Sequence, residues 1–124
     1  LILTKKLPVT NYELRTTRSG ARVWVGGHNL EAKRQLDGLL KDAMRSPTGP
    51  IDAAFIAPLD EEEALYFAAK VRARLTPEGY AWIAGLTAWR LSSAMLSLGY
   101  RESDMRARAG DLTITGYPLQ SPTT

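Results

Sequence analysis

Between Ile51 and Gly85 the hydrophobic pattern changes period twice. Ile51–Ala57 (IDAAFIA) is apolar at nearly every position, the pattern of a strand covered on both faces. Ala64, Phe67, Ala68, Val71 and Leu75 then recur at three- and four-residue steps, which predicts a helix with one buried stripe. Asp60 with Glu63 three residues later is a capping-box pattern, and Arg72 and Arg74 fall in the last turns, where cations suit the negative end of a helix. Thr76-Pro77-Glu78-Gly79 predicts a tight turn into a second apolar run, Tyr80–Ala84. Two buried strands joined by one helix should lie parallel, because a right-handed crossover packs that helix back on the sheet.

The flanking segments extend this unit on both sides. Arg22–Gly26 (RVWVG) reads as a strand ending at a glycine pair, with Tyr12–Val25 as a β-hairpin. A helix from Leu30 to Met44 follows, with Leu36, Leu39, Leu40, Ala43 and Met44 as its apolar stripe and Asn29 or His28 as its cap. Ser46–Pro50 ends it in a proline loop. Thr87 is the expected cap of a third helix running to Leu98, with Leu91, Ala94, Met95 and Leu98 inward and Gly99 as its stop. From Tyr100 the pattern alternates around Ala109-Gly110-Asp111, predicting an antiparallel hairpin at one edge of the sheet. The expected fold is a single α/β domain over 21–119, a Rossmann-like three-layer sandwich with a mixed, mostly parallel sheet and a C-terminal antiparallel hairpin. Residues 1–20 form an N-terminal arm or hairpin strand in this reading, and 120–124 a fraying tail. In open sheets of this class ligands sit at the carboxyl ends of the strands.

Composition narrows the chemistry more than it names it. At 124 residues, 44% hydrophobic and 23% charged, the chain has the make-up of one ordinary globular domain. Sixteen basic against thirteen acidic residues, a net charge of +3, lean mildly toward anionic partners. Without cysteine there is no disulfide scaffold, thiolate metal site or cysteine nucleophile. No apolar run reaches the roughly 18 residues of a membrane span, and LILTKKLPV lacks the order of a signal peptide, so the expected setting is cytoplasmic with no membrane partner. The start at Leu1 is expected of a trimmed chain or an excised domain.

Among candidate site residues, Gly26 and Gly27 stand between a strand and a helix, where glycine lets a ligand approach the backbone and a helix amino end favours an anion. The alternative is a purely structural turn. Neither G-x-G-x-x-G nor a P-loop is present. His28 is the only histidine, placed to act as a base, to cap the helix or to face solvent; with no second histidine it builds no usual zinc site. Glu61, Glu62 and Glu63 read as first-turn acids and not as metal ligands. A receiver domain would need acids at the strand ends held by Gly26-Gly27 and Gly85, and is excluded. Arg101, Arg106 and Arg108 on the last hairpin, and Arg15, Arg18 and Arg22 near the first, with Trp24, Tyr12 and Tyr100 close by, form either an RNA-binding edge or a solvated edge that blocks aggregation. Trp82 is expected in the core. Trp89 lies off the stripe of its helix, where it lines a ligand crevice or a dimer interface, or folds over the end of the sheet.

Residues 51–117 resemble the C-terminal half of class I S-adenosylmethionine-dependent methyltransferases. The family's LxPxG turn stands here as Leu75-Thr76-Pro77-Glu78-Gly79, and its LGF/Y helix end as Leu98-Gly99-Tyr100. The resemblance places Gly26, Gly27, His28 and Asn29 at the cofactor end, and Pro58, Asp60, Gly85 and Trp89 around a substrate pocket. The N-terminal half departs from the family. Val23–Asn29 lacks the acid and the spaced third glycine of an E/DxGxGxG loop, and no strand with a ribose-binding acid is evident between the Leu30–Met44 helix and Ile51. Ala57-Pro58-Leu59-Asp60 shares only its proline with the (N/D)-P-P-(Y/F) motif of amino-methylating members. Three readings follow: a non-enzymatic interaction or assembly module, acting through a protein partner or a homodimer; a small methyltransferase using S-adenosylmethionine; and an RNA-binding accessory protein. Under the methyltransferase reading Gly27→Asp is expected to abolish cofactor binding.

Overall fold

Residues 22–40, 43–45, 48–85, 87–102, 105–109 and 111–120 are described in this computed structural model. In chain order they form β1 (Arg22–Gly26), α1 (Leu30–Leu39), β2 (Met44–Arg45), β3 (Ile51–Ile56), α2 (Glu61–Arg72), β4 (Leu75–Ala84), a 3₁₀ turn (Ala88–Leu91), α3 (Ser92–Ser97), β5 (Met105–Ala109) and β6 (Leu112–Pro118). The sheet order is β2-β1-β3-β4-β6-β5. β1 pairs in parallel with β2 and β3, β3 in parallel with β4, and the β5–β6 hairpin joins antiparallel to β4. The expected α/β three-layer sandwich is the observed fold.

Alternation along β3 sorts the core into two layers. Ala53, Phe55 and Ala57 pack with Ala32, Leu36 and Leu40 of the α1 side, while Ala54 and Ile56 pack with Ala64, Ala68 and Val71 of α2. Phe55, Trp82 and Tyr80 stack on the α1 face at centroid distances of 6.3 Å and 5.6 Å. Gly116 makes room for this stack, since a Cβ there would lie 2.8 Å from the Trp82 ring. Trp82 is in the core, as expected. On the other face two buried tyrosines act as struts: Tyr100 Oη donates to the Ala68 carbonyl at 2.6 Å, and Tyr117 Oη donates to the Ala88 carbonyl at 2.5 Å. Burial raises the pKa of both phenols, so they remain protonated donors at neutral pH.

Several boundaries differ from the sequence reading. The first helix ends at Leu39; Met44 is exposed, and with Arg45 it forms a two-residue parallel strand beside β1. A second strand is thus present where none was expected, although it carries no acid, and Arg45 pairs instead with Asp37 at 2.7 Å. Thr76–Gly79 is not a separate turn but a bulge within β4, which shifts the register between Ile51↔Leu75 and Ala53↔Tyr80. The third helix is split, with the 3₁₀ turn preceding a short α3, and Thr87 makes no side-chain cap bond. Gly99 ends it with φ +100°, as its sequence position suggested. Of the expected 12–25 hairpin only β1 is described; the arm at 1–20 and residues 121–124 lie outside the described residues. No helix among the described residues is long and apolar enough to cross a membrane.

Candidate functional site

The carboxyl ends of β1, β3 and β4 meet the amino ends of α1 and α2 at one edge of the sheet. A three-residue loop, Gly27-His28-Asn29, joins β1 to α1. Its shortness draws the helix start onto the end of β3: Ala57 N donates to Gly26 O at 2.8 Å, and Asn29 N donates to Ala57 O at 3.0 Å. Gly27 has φ +115°, and a Cβ on it would stand 2.1 Å from the Ala57 oxygen. Only glycine fits there, because of the Ala57 peptide and not because of any ligand. Gly26 lies beneath its own neighbour Trp24, whose ring leans toward Phe67 of α2 with centroids 5.6 Å apart. Asn29 is the α1 cap: its Oδ1 accepts from Ala32 N at 3.1 Å.

The capping box at α2 forms only in one direction. Asp60 Oδ1 accepts from Glu63 N at 2.8 Å, as the pattern predicts. The Glu63 carboxylate does not return to the cap residue but reaches across to the first loop. Its Oε1 accepts from Leu59 N at 2.8 Å and from His28 N at 3.2 Å, while its Oε2 meets His28 Nδ1. The His28 hydrogen bond is the main reason that Glu63 titrates below the usual carboxylate range; desolvation opposes this and the two backbone N–H groups reinforce it. Sequence reasoning took Glu63 as the capping-box partner of Asp60 and a first-turn acid. Its contact with a loop 35 residues away leaves no mark in local spacing.

Beside this closed loop, between the ends of β3 and β4, lies a cleft of about 270 Å³. That is just below the usual range of ligand pockets, roughly 300–1,000 Å³. Ile83, Ala84, Ala88, Leu91 and Leu112 give it apolar walls, and Asn29, Asp60, Glu61 and Thr87 stand among its polar groups. Four of the residues expected at a site, Asn29, Pro58, Asp60 and Gly85, line this cleft together. Gly26 and Gly27 are buried behind it, His28 is exposed beside Glu63, and Trp89 lies outside it on the far side of the 3₁₀ turn. Asp60 is engaged as a helix cap. No group of three metal-ligating side chains converges among the described residues.

A methyltransferase from Pyrococcus furiosus superposes with a TM-score of 0.56, covering 93% of this chain and 83% of its own at 15% identity. The ribosomal protein L11 methylase from Lactobacillus delbrueckii subsp. bulgaricus gives 0.53, with 86% and 73% covered at 13% identity. A TehB-like SAM-dependent methyltransferase from Corynebacterium glutamicum gives 0.51, with 89% and 86% covered at 10% identity. This chain has the methyltransferase fold. At these identities the likeness speaks of the fold and not of the reaction. No family model matches the sequence, and no curated protein matches it. In the N-terminal half the loop after β1 is three residues long and β2 carries no acid.

Proposed function

We propose that this chain is a non-enzymatic interaction or assembly module on a methyltransferase fold, with a cofactor end closed by its own side chains. The observation that carries this reading is the Glu63 carboxylate. It accepts from the His28 amide beside the start of α1, where a ligand anion would otherwise meet free backbone N–H groups. The Asn29 amide is likewise held, by Ala57 O, and the Ala32 amide by the Asn29 side chain. A cofactor carboxylate would have to displace an internal one that already holds three hydrogen-bonding groups. The absence of an acid on β2 acts in the same direction.

A small S-adenosylmethionine-dependent methyltransferase is the second reading, favoured by the open cleft between β3 and β4. An amide NMR titration of the chain with S-adenosylhomocysteine separates the two. The expected outcome is no saturable shift at Gly26–Asn29 or at Asp60 with millimolar ligand. Saturable shifts at both places would replace the first reading by the second. Gly27→Asp is not a usable probe, because its side chain would collide with the Ala57 backbone whether or not a ligand binds there.

A further inference from the structure

β5 is the last strand of the sheet. Ala107 faces the α1 side, so its neighbours Arg106 and Arg108 project to the opposite face, the side of the 3₁₀ turn and α3. The Arg106 guanidinium lies 5.6 Å from the centroid of Trp89, and that of Arg90 lies 5.3 Å from it. Trp89 is 42% exposed, an indole held at the surface by cations instead of being folded into the core.

Arg22, Arg34 and Arg45 each pair with a carboxylate, whereas Arg90, Arg106 and Arg108 have no carboxylate partner among the described residues, a state they share with Arg72 and Arg101. Arg106 Nε is buried and has no hydrogen-bond partner. Thr115, directly across the ladder from Arg106 and on the same face, is fully buried with its hydroxyl also unpartnered. Both atoms lie beneath the surface, so the groups open to an anion are the exposed guanidiniums of Arg90 and Arg108 and the part of the Arg106 guanidinium that faces the indole. The described acids of this hairpin region, Glu102 and Asp111, lie outside the strands, before β5 and in its turn.

We propose that Trp89, Arg90, Arg106 and Arg108 form a docking surface for single-stranded nucleic acid, with phosphates on the arginines and an unpaired base against the indole or a guanidinium plane. Arginine neutralises phosphate and a solvent-facing aromatic ring stacks on any base, the combination used by single-strand binders. An acidic peptide would use the charge but has no need of the exposed indole. The inference names a partner for the interaction module and rests on that reading.

The test is fluorescence anisotropy with labelled single-stranded RNA of about 12 nucleotides, the DNA of the same sequence, and polyglutamate as competitor. Saturable binding is expected at low salt. Arg90→Ala and Arg108→Ala, both at exposed positions, should each flatten the log–log salt slope by about 0.7. Trp89→Ala should weaken binding about tenfold or more, with the far-UV circular dichroism unchanged. No saturable binding of either oligonucleotide, unchanged affinity in a folded Trp89→Ala protein, or displacement by polyglutamate below the oligonucleotide's own concentration would each overturn the proposal. Nucleic-acid binding together with S-adenosylhomocysteine binding would overturn the non-enzymatic reading and leave this surface standing. Loss of both would overturn this surface alone.

Discussion

At the carboxyl end of β1 the polar groups are satisfied from within: Glu63 holds His28 and Leu59, Ala57 holds Asn29 and Gly26, and Asn29 holds Ala32. At the β5 edge the reverse is true, with Arg106 Nε and Thr115 Oγ1 lacking partners and two arginines, Arg90 and Arg106, against an exposed indole. The third buried polar atom without a partner, Trp82 Nε1, lies on the opposite face of the sheet within the aromatic stack. The comparison shows where the fold has room for function. An internally complete hydrogen-bond set makes a rigid corner, whereas exposed guanidiniums against an indole, with no carboxylate partner among the described residues, mark a surface that gains by binding an anion.

The sharpest way to break the comparison is at the two positive-φ glycines of the carboxyl edge. Gly27→Ala forces a Cβ to within 2.1 Å of a backbone oxygen, and should cost about 3 kcal/mol or more. Gly85→Ala, with φ +138° but no atom within 4 Å of the new Cβ, should cost only about 1–2 kcal/mol of backbone strain. Urea midpoints of the two variants measure the difference, and equal losses would show that the Gly27–Ala57 contact is not tight.

Smaller effects are expected at the struts. Tyr117→Phe removes the bond to Ala88 O and should cost about 1 kcal/mol in urea unfolding. Because that bond ties β6 to the 3₁₀ turn carrying Trp89 and Arg90, it should also weaken oligonucleotide binding. Tyr100→Phe loses a similar bond, to Ala68 O, at a similar cost. It should leave oligonucleotide affinity unchanged, which makes it the control.

The smallest effect is in pH. Glu63 is held below the usual carboxylate range by His28. For Asp52 desolvation pulls upward, and the Arg22 hydrogen bonds and charge outweigh it, so it too is lowered. A carboxyl whose folded pKa is depressed stabilises fully above its unfolded pKa, and that contribution is lost as pH falls through the folded value. Urea midpoints should therefore be flat above about pH 5 and fall on the acid side. Glu63→Gln should shallow that acid limb without abolishing it, since Arg22 N and the guanidinium still hold Asp52 at 2.9 Å and 3.1 Å.

Much of this was legible along the chain. The near-continuous run at Ile51–Ala57 predicted a strand buried on both faces, and this strand contributes to both core layers, as β4 does. The stripe Ala64, Phe67, Ala68 and Val71 and the Asp60 cap predicted α2, although Leu75, counted in the same stripe, opens β4 instead; the alternation after Tyr100 predicted the closing hairpin. These signals survive because each depends on neighbours a few residues apart. The misread boundaries lie where local propensity was overruled. Met44 continued a helical period but was drawn into pairing with β1, and Thr76–Gly79 carried turn residues yet was kept in the sheet as a bulge.

The amino-acid sequence by itself determined the class of the fold, the direction of its central strands and the residue types available at its carboxyl edge, because burial periodicity and capping are short-range physics. Only the tertiary structure decided how those residues are used. It set Gly27 against a peptide instead of open space, turned Glu63 from a cap into a clasp on His28, and separated Trp89 from the cleft to join it with Arg106, 17 positions further along the chain. Each of these depends on which strands become neighbours, and hydrogen-bond completeness at a given atom is fixed only when the sheet order is fixed.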